Sequence, residues 1–238
     1  MKSFTPKRVL GIAAHPDDLD FGVSGSMAAW SAAGTDCYYL VLTNGNKGTA
    51  DTSLSPEQLT KIRRKEQRVA AKLLGVKDVF FLDYEDGGLE VTMGLKKDIV
   101  RVIRTVKPDT VIAMDPSMLY AVERGFINHP DHRASGQAAL DAVYPLARDH
   151  LSFPDLFTEE KLAPHKVTTL LLINFEKHNF YVDITATLDK KLAALAAHKS
   201  QMPDLAGTQT MMKNIGRELG RVADCEYAEA FFRIDVTG

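Results

Sequence analysis

Two short segments of the chain set imidazole and carboxylate side chains close together: Ala14-His15-Pro16-Asp17-Asp18 and Asn128-His129-Pro130-Asp131-His132. Imidazole nitrogen and carboxylate oxygen are the usual donors for zinc and similar divalent ions. His15 and Asp18 stand three apart, as do His129 and His132. A helical turn begun after each proline would place each pair on one face. A catalytic zinc takes three protein ligands and keeps one position open for water. The segments offer five candidates: His15, Asp17, Asp18, His129 and His132. The surplus matters, because a hydrolase also needs a base beside the activated water. Each segment has a plainer reading, a proline turn whose carboxylate caps the next helix, with Asp131 as the cap in the second.

The elements around the segments decide between these readings. Residues 9–14 are a short apolar run and predict a buried strand ending at His15. Residues 21–33 predict a helix stopped by Gly34, and residues 38–43 a second strand cut off at Asn44-Gly45. Ser55-Pro56-Glu57 is a helix start, with Ser as N-cap, Pro in the first turn and an acid beside it. That helix runs to Leu74 and stops at Gly75. A strand over 79–82, a turn at Asp86-Gly87-Gly88, a helix over 95–106 and a strand over 110–114 follow. Beyond Gly125 come a helix over 133–147, strands over 167–174 and 181–184, and a helix over 188–199. Residues 149–164 read as an irregular insertion, and no element is assigned after Lys199. Alternating strands and helices predict an α/β, Rossmann-like fold, a mostly parallel sheet covered on both faces, as a single domain over 1–238. Right-handed crossovers then put the strands' C-terminal ends on one edge, where ligands of such folds bind. Both segments fall on that edge.

Bulk properties narrow the partners. The chain has 238 residues, 45% hydrophobic and 25% charged, with a net charge of -2. Such a balance gives no electrostatic reason to expect nucleic acid or an anionic membrane. Apolar runs such as 170–173 are far too short to span a bilayer. Residues 1–6 carry charge but no apolar run of the signal-peptide type. The two cysteines, Cys37 and Cys225, suit a reducing, cytoplasmic location.

At this point the sequence resembles a known family, the LmbE-like or PIG-L-type N-acetylglucosaminyl deacetylases. The resemblance rests on Ala-His-Pro-Asp-Asp after the first strand and His-Pro-Asp-His before a later helix. Smaller matches follow in order: Thr43-Asn44-Gly45 with Lys47-Gly48-Thr49, Arg63 with Glu66 and Leu74-Gly75, Asp86-Gly87, Val182 to Thr185, and His198 with Ser200-Gln201. The resemblance implies a zinc-dependent N-deacetylase with one Zn2+ per chain, acting on an N-acetylglucosamine-type sugar or conjugate, and a trimer or hexamer. It implies His15, Asp18 and His132 as metal ligands and Asp17 as general base. It implies a protonated His129 stabilising the oxyanion, oriented by Asp131, and substrate contacts from Arg63 and Asp86. Asp20 stands where the family often has the longer Glu, and Phe180 where many relatives have His, with His178 close by.

Several of these residues have ordinary readings. Arg63 shares its helix with Arg64, Lys65 and Arg68, so a solvated basic face is the default. Asp86-Gly87-Gly88 is first a turn, His198 a helix-end residue, and Met211-Met212 a packing pair. Two rival functions remain. A phosphoesterase holding two metals would draw bridging carboxylates from Asp83, Glu85 and Asp115. A metal-stabilised binding module would want a closed, cysteine-rich site, and both cysteines lie far from the segments. Residues 45–55 and 121–128 would choose the substrate and carry no readable code.

Overall fold

The apolar run after Lys7 forms strand β1, Arg8–Ala13. Its side chains alternate between two cores, as strand geometry requires. A computed structural model of the chain describes residues 4–122 and 125–237. Leu10 and Ile12 pack with α4 (Met93–Val106) and α5 (Pro130–Asp141). Val9 and Ala13 pack with α2 (Ser24–Ala32), α3 (Pro56–Leu74) and α7 (Leu188–Ala197). Helices therefore cover both faces of the sheet, as its buried strands demand.

The remaining strands of the main sheet are β2 (Asp36–Thr43), β3 (Asp78–Tyr84), β4 (Thr110–Met114), β7 (Thr169–Ile173), β8 (Phe180–Asp183) and β9 (Ala228–Asp235). The order is β3-β2-β1-β4-β7-β9-β8, with β5 (Tyr120–Ala121) and β6 (Phe126–Ile127) forming a separate small hairpin. β3, β2, β1, β4 and β7 pair in parallel, while β9 runs antiparallel to both β7 and β8. The chain leaves β1 toward β2 on one side and returns to β4 on the other. The β1/β4 boundary is thus the switch point at which such sheets open a crevice.

Four expectations change in detail. The helix foreseen over 21–33 is two helices, α1 (Asp18–Gly22) and α2, broken at Val23. The helix foreseen over 133–147 begins at Pro130 and loses α-geometry after Asp141, ahead of Pro145, which lacks the N–H to continue it. The insertion over 149–164 contains a short helix, α6 (Pro154–Thr158). The unassigned C-terminus holds a long helix, α8 (Leu205–Ala223), and β9, so one strand of the sheet runs against the rest. Among the described residues, no helix is long and apolar enough to cross a membrane. Residues 1–3, part of the segment read for a signal, and Glu123 and Arg124 of the 121–128 loop lie outside the described residues.

Candidate active site

The two segments meet where β1 and β4 end. Asp17 follows β1 with φ 94, a left-handed backbone that a non-glycine residue rarely adopts. Its N–H donates to Gln67 Oε1 at 2.9 Å, and Gln67 Nε2 donates to Asp20 Oδ2 at 2.7 Å. Asp17 sits at the N-cap of α1, yet its side chain makes no capping bond. The helix-cap reading therefore does not account for its carboxylate. Burial and the neighbouring charge of Asp18 raise Asp17 to about 7.

Asp18 lies between two imidazoles. Its Oδ2 accepts the His15 N–H at 2.8 Å and stands 3.4 Å from His15 Nδ1. Its Oδ1 is 3.1 Å from His132 Nε2. Burial opposes the charge, but His132 and His15 outweigh it and hold the carboxyl well below its usual range. The outer nitrogens of both rings face acceptors. His15 Nε2 lies 3.1 Å from Asp86 Oδ1 and 3.2 Å from Asp131 Oδ2. For His15, burial is likewise outweighed, by Asp131, Asp18 and Asp86, and its pKa rises to about 12. His132 Nδ1 lies 3.2 Å from Asn128 Oδ1. Asn128 is 1% exposed and donates its own Nδ2 to Met118 O at 2.8 Å, which fixes its oxygen toward the ring. With the rings neutral and their outer nitrogens donating, the lone pairs of His15 Nδ1 and His132 Nε2 would converge beside Asp18, a cation taking the place of the protons that Asp18 favours on both rings. Carboxylate and amide partners of this kind orient metal-binding imidazoles. The donor set therefore fits a divalent ion.

Ligand atoms lie within 4.8 Å of one another in two groups, His15/Asp18/His132 and His15/His129/Asp131. Asp131 is already engaged in the second, because its carboxylate also accepts Gly87 N at 2.7 Å and Leu89 N at 3.2 Å. This corrects the expectation that Asp131 orients His129 with its side chain. The carboxylate orients His15, and it is the backbone N–H of Asp131 that reaches His129, donating to Nδ1 at 3.2 Å. His129 is the N-cap of α5, so Asp131 does not cap that helix either. The bond to Nδ1 leaves the proton of neutral His129 on Nε2. Burial, aided by the charge of His15, lowers the His129 pKa.

Arg63 is 5% exposed and does not belong to a solvated face. Its Nη1 donates to Gly45 O at 3.2 Å and Lys47 O at 3.1 Å, and its Nη2 to Pro16 O at 2.9 Å. It also lies 3.5 Å from Asp17 Oδ1 and 3.6 Å from Asp86 Oδ2. Asp86, also 5% exposed, accepts Lys47 N at 3.2 Å. Both residues expected at the substrate thus tie the loops after β1, β2 and β3 together behind it. Gly45, at φ 63, lets those loops close, since a Cβ there would lie 2.9 Å from the Pro16 ring.

Sequence reasoning missed Asn128, Gln67 and the role of His198. His198 is the C-cap of α7, as the helix-end reading expects, but it is fully buried and lies 2.7 Å from Asp20 Oδ2. Asp20, the shorter acid, joins Gln67 and His198 instead of facing the crevice. Phe180 packs edge-on against Phe4, while His178 lies 2.6 Å from Asn174 O. Asp83 and Glu85 are exposed and paired with Arg64 and Lys47, and Asp115 is held by Ser117 and Asn174. None of these three carboxylates joins a ligand group among the described residues. A cavity of about 790 Å³ is lined by Asp17, Asp18 and His132 and also by Met211, Met212 and Ile215.

The PIG-L family, described as GlcNAc-PI de-N-acetylase, matches residues 10–143. Diacetylchitobiose deacetylase of Thermococcus kodakarensis is 33% identical over 225 residues, 94% of this chain and 81% of that protein. The structure of N,N'-diacetylchitobiose deacetylase from Pyrococcus horikoshii superposes with a TM-score of 0.87 at 34% identity, over 97% of this chain and 84% of that one. A protein of Bacillus anthracis, a probable N-acetyl-alpha-D-glucosaminyl L-malate deacetylase 2, is 29% identical over 206 residues, 82% of this chain and 81% of that protein. The family match spans more than half of the chain and includes both histidine-aspartate segments, and the chain is a member of the PIG-L family.

Proposed function

We propose that residues 1–238 act as one metal-dependent N-deacetylase domain. It would hydrolyse the acetamide of an N-acetylglucosamine-type sugar or conjugate to the free amine and acetate. The observation that carries this reading is the convergence of His15 Nδ1, His132 Nε2 and Asp18 beside the uncapped carboxylate of Asp17. The named activities of the relatives support the same reading. In it, His15, Asp18 and His132 would hold one zinc ion, three donors being the number that a catalytic zinc takes from the protein. When bound, such an ion supplies Lewis acidity for the amide carbonyl and for water.

The chain's own residues do the rest. Asp17 takes a proton from the water that adds to the carbonyl carbon. His129 donates its Nε2 proton as a hydrogen bond to the developing oxyanion, a contact worth roughly 3 kcal/mol in comparable sites. Asp17 returns its proton to the departing nitrogen as the C–N bond breaks. Asp131 and Asp86 hold the His15 ring. Arg63 holds the loops that carry Asp17 and Asp86, and so acts on substrate through position. The phosphoesterase reading draws no bridging carboxylate from its three candidates, since Asp83 and Glu85 pair with Arg64 and Lys47 and Asp115 is held by Ser117 and Asn174.

Metal analysis of the purified protein, with a screen of N-acetylated amino sugars for released acetate, tests the proposal. About one zinc per chain and acetate release that a chelator stops are the expected results. Turnover unaffected by chelation overturns the metal role, and two tightly bound ions would revive the phosphoesterase.

A further inference from the structure

Asp17 and Asp18 are adjacent carboxylates with different proposed tasks, and side-chain chemistry alone cannot separate them. The backbone can. Asp17 has φ 94 and ψ -33, outside the regions that an L residue ordinarily adopts. An aspartate at a helix N-cap usually takes an extended backbone and turns its carboxylate onto the N–H groups of the first turn. Asp17 makes no such bond, and its carboxylate stays free of the helix that it starts. A conformation of this kind persists only where its surroundings over-determine it.

Those surroundings are two side chains of α3, one turn apart. Arg63 Nη2 donates to Pro16 O at 2.9 Å, and Gln67 Oε1 accepts the Asp17 N–H at 2.9 Å. That carbonyl and that N–H belong to one planar peptide group, so α3 grips the plane by both edges. Gln67 itself is fixed. Its Nε2 donates to Asp20 Oδ2 at 2.7 Å, so a single orientation of the amide satisfies both partners. Asp20 closes the first turn of α1, its N–H donating to Asp17 O at 2.8 Å. One amide therefore spans the turn that carries both acids. His198 Nε2 lies 2.7 Å from the same Asp20 oxygen and braces the far end. Gln67, Asp20 and His198 are fully buried, and none of them lines the cavity.

We infer that Gln67 is a positioning residue for Asp17. By holding the Asp17 N–H and Asp20 together, it keeps the turn in the backbone that presents Asp17 to the reacting water and leaves Asp18 to the metal. The inference rests on the reading of Asp17 as the base. Asp18 has a separate anchor, the His15 N–H at 2.8 Å. Loss of Gln67 should therefore reach the base and spare the metal.

The first test needs no substitution. An N–H at a helix start has no acceptor within its helix. Hydrogen exchange followed by NMR in the metal-free native protein should nevertheless find the Asp17 N–H protected. Exchange at the rate of an exposed loop amide overturns the inference, whether or not any variant folds. Gln67→Met, checked for folding by its melting temperature, keeps the length of the side chain and removes both hydrogen bonds. It should abolish the protection of Asp17 while the protected amides of β1 keep theirs. In the zinc-loaded variant, with N-acetylglucosamine as substrate, kcat should fall roughly 10²-fold, the cost of a displacement of about an ångström. KM and the calorimetric zinc affinity should not change. In the Asp17→Asn background the same substitution should cost almost nothing further, because the group it positions is gone. An equal cost in both backgrounds marks a merely structural role and overturns the inference, as does a loss of zinc that accounts for the fall in kcat. A harmless Gln67→Met beside a crippled Asp17→Asn overturns it and leaves the base in place. A harmless Asp17→Asn removes the base, and the inference with it.

Discussion

On one side of Asp18, His15, Asn128 and Asp131 are held by hydrogen bonds of 2.7 to 3.2 Å to groups that are themselves held. On the other side, Met211, Met212 and Ile215 face a cavity with side chains that are only partly covered. The first region suits a task that fails when a donor moves by a fraction of an ångström. The second suits a task that tolerates variation, because apolar contact has no required direction. Asp18 thus borders both a hydrogen-bonded cluster and a partly covered apolar wall. The comparison yields a ranking: changes on the polar flank should cost rate or metal in large factors, and changes on the apolar flank should cost little of either.

The largest effect is expected at Asp18. Asp18→Ala removes the carboxylate on which both imidazoles converge, so zinc binding measured by calorimetry should weaken sharply. Acetate release should fall to background at equimolar zinc, and excess zinc should restore part of it. Asp17→Asn comes next. The fold and the zinc content should persist, while kcat drops by ~10² to 10⁴, the usual worth of a positioned base. Added zinc should not help. A metal-free Asp17→Asn beside a loaded, inactive Asp18→Ala would reverse the two roles.

A smaller effect is expected from Asn128→Ala, which frees His132 Nδ1 from its fixed acceptor. Partners of this kind typically contribute 10- to 100-fold in metal affinity. Zinc affinity should fall within that range, and the Asn128→Asp variant, which keeps an acceptor oxygen, should retain most of it. An unchanged affinity in Asn128→Ala would mean that the His132 ring is held by packing alone.

Much of the polar flank was legible in advance, and for a local reason. The first segment directly follows β1, whose apolar run is unmistakable, and the second comes after β4 and opens α5, so their place on the sheet edge follows from chain order and crossover handedness. Arg63 was misread because Arg64, Lys65 and Arg68 surround it in sequence. Helical phase held the answer: Leu59, Arg63, Gln67, Ala70 and Leu74 recur every three or four residues and form the buried stripe of α3. The same stripe contains Gln67, the partner of the strained Asp17. The pairing of Asp131 with His15 was not legible, since it joins residues 116 apart and depends on a loop after β3 that supplies two amides. The apolar flank was hidden for a related reason. Its wall, α8, precedes β9, the one strand that runs against the sheet, and no alternating βα pattern announces it. Met212 packs against the cluster of Ile184, Leu188, Leu192 and Tyr227, as a packing residue should, and both methionines also line the cavity.

The smallest effect sharpens the comparison most, because it asks whether the apolar flank is a core in disguise. Leu10 is fully buried between strand and helices, and Leu10→Ala should cost ~2 to 5 kcal/mol of stability in denaturant titration. Met211 carries an apolar side chain of comparable size but is 49% exposed. Met211→Ala should therefore stay within about 0.5 kcal/mol, as substitutions outside packed cores usually do. Equal m-values in the two titrations would show that the variants differ in stability and not in how much surface unfolding exposes. Were Met211→Ala to cost as much as Leu10→Ala, α8 would have to close onto the body of the protein in solution. The cavity would then be filled by the chain itself, and the flank opposite the metal ligands would be rigid on both counts. A cost near zero instead means that Met211 contributes little to the stability of the fold, and the two flanks differ as their burial says.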